Sequence, residues 1–326
     1  MHSFERELSR TFAETIIIHR YGRVWPTNRG RAPRSPRPSR KCWQRPERNG
    51  TRSRVSDDEI FCLIGSIGLA VVCVPFVLGW LKHRLFLRNN PAAAIPVLAI
   101  AIAMAWTTFV LWNFADPSVV GVYRFFYIML GLALVLGPGF WATAIYGIRT
   151  SVDVHQRRNM AAAIVIGAFA LATGLIYGGS NWGEADPNSE AEGGWWIPVG
   201  FFFAGWIALL VVMGFYLRGE RGSLRQRVVQ DRSMADARAA ASYLLGTALV
   251  LTHAVAGDFW GWTEGLMGVA AVALLAITHE LCRRAVPVVI TTAESNDPTF
   301  SGGRYLESLA YLVIGTAFWL LTYWLT

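Results

Sequence analysis

From Ile60 onward the chain alternates long apolar runs with short polar connections. Each run has about 20 residues and almost no charge, enough to cross a hydrocarbon core of roughly 30 Å as a helix. Eight are counted, at about 60–82, 92–114, 120–148, 160–180, 196–217, 238–257, 262–282 and 304–325. Strands of a membrane barrel would alternate apolar and polar positions, and a run such as GFFFAGWIALLVVMGFYL at 200–217 does not. The pattern predicts an all-α, polytopic transmembrane helical bundle of about eight spans.

The runs also echo one another. NPAAAI at 90–95, NMAAAI at 159–164 and RAAASY at 238–243 each open a span. Each span leads to an acidic or aromatic turn and a returning run that ends on arginine, at Arg149, Arg218 and Arg283. From the first alanine to that arginine is 57 residues in the first two units and 44 in the third. In the turns, ADP recurs at 115–117 and 185–187, while GGSNWG at 178–183 matches AGDFWG at 256–261, 78 residues on, the offset that also separates the second and third alanine triplets. The expectation is three two-helix hairpin repeats flanked by single spans, the first and the eighth. The alternative is that alanine-rich helix starts and terminal arginines recur for insertion reasons alone.

Composition agrees: 53% hydrophobic residues, 14 Trp and a positive mean hydropathy exclude an ordinary soluble domain. The formal charge of +8 is misleading until it is located. Of 30 Lys and Arg, 14 lie in the first 54 residues, in a stretch rich in Pro and Arg. The remainder, residues 55–326, is the expected integral membrane domain. Residues 1–54 read either as a disordered arm for anionic lipid or RNA, or as an over-extended gene start with initiation at Val55. No nucleic acid is expected to bind the membrane domain.

Charge in the connections sets the threading. The odd-numbered loops hold Lys82, Arg84 and Arg88; Arg149, Arg157 and Arg158; Arg218, Arg221, Arg225, Arg227, Arg232 and Arg238; Arg283, Arg284 and Arg304. The even-numbered loops hold Asp116, Glu184, Asp186, Glu190, Glu192, Asp258 and Glu264, with Arg124 as the one basic residue beside them. The 15 to 1 division predicts odd loops in the cytoplasm and both termini outside, in the plasma or inner membrane of the cell.

Candidate chemistry is sparse. Cys42, Cys62, Cys73 and Cys282 show no zinc spacing, and the HEL at 279–281 lacks a second histidine. His253 and His279 are roughly 20–25 Å apart by helical rise, too far to share one haem iron. No metal, cofactor or catalytic set is expected. Trp112, Trp182, Trp195, Trp196, Trp260, Trp262, Trp319 and Trp324 fall at outer ends and read as a headgroup-level belt.

One stretch, LTHAVAGDFWG at 251–261, places a histidine inside an apolar run. Val250, Leu249, Gly246, Ser242 and Ala239 share its helical side, a small-residue stripe suited to a neighbouring helix. Asp258 follows a glycine at which the chain can turn back over the imidazole, and Glu264 opens the next span. The candidate polar cluster is therefore His253, Asp258 and Glu264, with Arg124 and Asp116 of the first hairpin as partners; the plainer alternative is a histidine bonded between packed helices.

Two function classes follow. One is a non-enzymatic membrane component or scaffold subunit that contacts the lipid bilayer and meets a membrane or cytoplasmic protein through the 218–238 loop. The other is a small transporter or proton-coupled carrier with a polar site in its outer half.

Overall fold

The computed structural model describes residues 57–81, 90–117, 119–183, 195–219, 223–256 and 302–325, with single positions between 268 and 281. All belong to the unit Val55–Thr326. The basic tail 1–54, Asp258 and Glu264 lie outside the described residues. Within those residues the chain is helical, with no strand. In order come α1 (Asp57–Leu81), α2 (Pro91–Asn113), α3 (Val122–Leu136), α4 (Pro138–Ile145), α5 (Met160–Ser180), α6 (Trp196–Gly219), α7 (Met234–Ala254) and α8 (Gly302–Leu325).

Five segments are long and apolar enough to cross a membrane: Pro91–Asn113, Val122–Ile145, Met160–Ser180, Trp196–Arg218 and Tyr305–Thr322. The second of these is α3 and α4 together. Proline lacks an N–H and fits the first position of a helix, so Pro138 starts α4 where α3 ends. The ladder resumes at once, with Gly137 N–H on the Ala133 carbonyl at 2.8 Å and Trp141 N–H on the Gly137 carbonyl at 2.9 Å. The long run at 120–148 is thus one broken span, packed through Gly137 against Leu69 and Cys73 of α1. Large apolar side chains such as Leu98, Ile102, Ile207, Val211, Leu309 and Val313 remain exposed on the outside of the bundle. A face of that kind belongs against lipid.

At the centre stands α5, with 17 of its 21 residues buried. It packs on α2, α3, α4, α6 and α7, and α7 packs in turn on α8. Small residues make the closest crossings, as they do where helices associate inside a bilayer. A β-carbon on Gly174 would collide with the Ala103 methyl and lie 3.0 Å from its Cα. Between α7 and α8, one on Gly315 would lie 2.6 Å from the Gly246 carbonyl oxygen.

The two arginine-rich connections that the structure describes share one geometry. In the first, Thr150–Gln156 is a π-helical segment; in the second, Gln226–Gln230 is another. Arg157 N–H reaches the Val152 carbonyl and Asp231 N–H the Gln226 carbonyl, both at 2.9 Å. Asn159 N–H reaches the Asp153 carbonyl at 3.0 Å, and Ser233 N–H the Arg227 carbonyl at 2.9 Å. Asn159 and Ser233 then cap α5 and α7 by accepting from Ala162 and Asp236. Every one of these matches is offset by 74 residues, one helical turn short of the 78 between alanine triplets.

The connections also interlock. Asn90, at the start of α2, donates to the Val154 carbonyl at 2.9 Å, and Asn159 donates to the Val228 carbonyl at 2.9 Å. Each cap asparagine therefore ties its helix to the next connection along the chain.

Candidate functional site

At the end of the bundle away from those connections, His253 occupies the last turn of α7, half-buried, with its ring 6.1 Å from that of Phe318 on α8 and tilted by 71°. Gly246, seven residues earlier on the same face, meets Tyr311 and Gly315 of α8. The small-residue stripe and its histidine thus face a neighbouring helix. Asp116 and Arg124 lie in the α2–α3 connection and share one residue as anchor: Val119 gives its N–H to the Asp116 carbonyl at 2.9 Å and accepts from Arg124 Nε at 3.0 Å. The Arg124 guanidinium lies 4.9 Å from the centre of the Trp112 ring. Of the five candidates the structure therefore joins Asp116 with Arg124 through this turn and sets His253 against α8; the other two are outside the described residues.

The same end is closed by aromatic packing. Trp182 stacks on Phe114 at 3.9 Å and 13°, and Gly183 N–H bonds the Phe114 carbonyl at 3.0 Å, so the ends of α2 and α5 are fastened together. Trp106, Trp182 and Trp319 have ring centres 6.0, 6.4 and 6.5 Å apart. Three indoles at that spacing fill the space between themselves. These members of the expected belt bind helix to helix.

Toward the arginine-rich end, the structure assembles a cluster that sequence reasoning missed. Tyr216 of α6 stacks on Tyr243 of α7 at 4.6 Å, and Tyr243 meets Tyr311 of α8 edge-on at 5.0 Å. All three are almost wholly buried. Tyr311 donates its hydroxyl to Glu307 Oε1 at 3.0 Å, one turn earlier on α8. Glu307 is the sole carboxylate of the run 304–325, and its spacing of four residues from a tyrosine was the available signal. The arrangement is three phenols leading from the bundle interior to one carboxylate near a helix start.

Among the described residues no three His, Cys, Asp or Glu side chains are grouped to hold a metal ion. Thr107 Oγ1 on α2 and Thr247 Oγ1 on α7 are fully buried with no hydrogen-bond partner among those residues. Neither adjoins a nucleophile and base pair. No family model matches this chain, and no curated protein or solved structure matches it either.

Proposed function

We propose that this chain is a non-enzymatic, multi-pass component of the plasma or inner membrane, a scaffold subunit with a core built to hold position. The observation that carries this reading is α5, buried along most of its length and set against α2 and α7 at contacts that reach backbone atoms. Close-packed interiors resist deformation and transmit strain, so such a core suits a subunit that positions a partner. The 218–238 loop, with six arginines, is the surface offered to a membrane or cytoplasmic protein. A photoreactive residue at exposed Gln230 is expected to give one defined protein adduct in native membranes.

The reading includes eight spans with the odd loops cytoplasmic. Helix starts at Pro91, Met160, Met234 and Gly302, together with the matched connections, support a repeat finer than three hairpins. Each unit is a returning helix, an arginine-rich connection and an outgoing helix, which draws the first and eighth spans into the series as parts of four units. A reporter active only in the cytoplasm is expected to work when fused after Arg158, Arg232 or Glu294, and to fail after Glu190 or Thr326. Activity at Thr326 would refute the even span count.

A second reading, a proton-coupled carrier, draws on His253 with Asp258, Glu264, Arg124 and Asp116 as an outer vestibule. An ionisable residue facing the interior of a membrane bundle is a functional hypothesis by default. Liposomes holding the purified chain are expected to dissipate an imposed pH gradient no faster than empty ones. Dissipation that His253→Ala abolishes would replace the scaffold with the carrier.

A further inference from the structure

Arg158 and Arg232 occupy equivalent places in the two described connections, and both have φ of 51°. The turn requires that angle, because the next residue must fold its N–H back onto the Asp153 or Arg227 carbonyl before starting a helix. Glycine adopts the left-handed region without the steric cost a β-carbon brings. Arginine is retained at both places despite that cost. Its side chain, not its backbone, is what the position uses.

The side chains also converge. Arg232 Nη2 lies 3.3 Å from the Arg157 carbonyl oxygen, which delivers the guanidinium of the second connection beside Arg158 of the first. Neighbouring arginines are already engaged: Arg157 pairs with buried Asp153 at 3.4 Å, and Arg227 with Asp236 at 3.3 Å. Arg158 and Arg232 are exposed and have no carboxylate partner among the described residues; Asp231, adjacent in sequence, is exposed as well. Across 149–158 and 218–238, nine arginines stand against four carboxylates, and none of the nine charges is carried by lysine. Charge for insertion alone is served equally by lysine. A planar guanidinium fork is selected where phosphate oxygens are to be held bidentately.

We propose that Arg158 and Arg232 form a site for the phosphodiester of an anionic phospholipid headgroup. The connections begin and end at helices of membrane-crossing length, which sets both side chains at headgroup level, where a negative leaflet supplies the complementary charge. The proposal rests on the membrane placement given above and is independent of the scaffold reading.

The test compares the full chain in lipid nanodiscs of phosphatidylcholine alone and of phosphatidylcholine with phosphatidylglycerol. Phosphatidylglycerol is expected to raise the melting temperature of the wild type and to remain bound in native mass spectrometry. The double variant Arg158→Gly/Arg232→Gly is expected to bind phosphatidylglycerol about tenfold more weakly, the loss of one charge-assisted bond. It should nevertheless melt no lower than the wild type in phosphatidylcholine, because glycine suits the left-handed turn. Arg158→Lys/Arg232→Lys keeps the charge but not the fork, and should also bind more weakly, which preserves the test if the glycine variant does not fold. Arg218→Gln/Arg238→Gln removes the same charge from other arginine-rich positions and should keep the lipid shift. Loss of the shift in that control would mean diffuse attraction and overturn the site, as would a full shift in the glycine variant. Inorganic phosphate that reproduces the shift in phosphatidylcholine would show that the occupant is not a lipid. A glycine variant that keeps the lipid but loses a cross-linked protein would assign the arginines to that protein instead.

Discussion

Gly174→Leu is expected to take apart the centre of the bundle, with a loss of about 3 kcal/mol or more, at or beyond the upper end for overpacking a filled core. Its first added carbon already collides with the Ala103 methyl and comes within 3.0 Å of the Ala103 Cα, and Ala103 is fully buried. The obstacle is backbone, which cannot rotate aside as a side-chain tip can. Two further carbons and a branch then have to fit between α2 and α5. The same residue type gives the opposite sign elsewhere: a β-carbon added at Gly214 on α6 would have nothing within 4 Å. Gly214→Ala should stabilise α6 by up to about 1 kcal/mol, the helix-propensity difference. Thermal unfolding in detergent, followed by size-exclusion chromatography, reads both. A Gly174→Leu protein that melts with the wild type would remove the close α2–α5 crossing and with it the rigid core on which the scaffold reading depends.

How far the sequence reveals this fold depends on which physical signal marks each element. Hydropathy over twenty residues marks a span without knowledge of its neighbours, and α2, α5 and α6 lie where their apolar runs put them. Boundaries set by capping are a different matter. The run-based start at 238 misses the first turn of α7, because Asp236 and Arg238 lower the local hydropathy, yet α7 begins at Met234. Ser233 and Asp236 form an S-x-x-D pattern that marks such a start, since the serine oxygen accepts the N–H three residues on. Likewise the GPG at 137–139 inside an unbroken apolar run is the local sign of the break between α3 and α4.

Candidate sites are less legible, since they depend on which helices become neighbours. His253 stands out because a basic group in an apolar run has few inexpensive explanations, and its stripe correctly implies a helix opposite. Tyr216, Tyr243 and Tyr311 do not stand out. Each is an ordinary aromatic residue in its own run, and only the packing of α6, α7 and α8 makes them one cluster leading to Glu307. Periodicity reports a face; it does not report what that face will meet.

The largest polar effect is expected at Asn159, where a single side chain serves two elements. Its Oδ1 accepts from Ala162 N–H at 3.2 Å and caps α5, while its Nδ2 donates to the Val228 and Val229 carbonyls at 2.9 and 3.3 Å. At 2% exposure, no water replaces those bonds when the amide is removed. Asn159→Ala should cost about 1 kcal/mol for the lost cap and about 1–3 kcal/mol more for the stranded carbonyls. The equivalent residues separate these contributions. Asn90 makes the cross-connection bond to Val154 but no cap bond, and Ser233 makes the cap bond to Asp236. Losses should therefore fall in the order Asn159→Ala, Asn90→Ala, Ser233→Ala, with Ser233→Ala near 1 kcal/mol for a cap alone. Limited proteolysis in the connection around 226–230 adds a readout that global melting lacks. Asn159→Ala should expose that segment because Val228 and Val229 lose their tether, whereas Asn90→Ala should leave it protected and loosen 150–156 instead. If both variants opened the same segment, the cap asparagines would not each be tying a helix to the following connection, and the matched geometry of the two loops would lose its role in holding the units together.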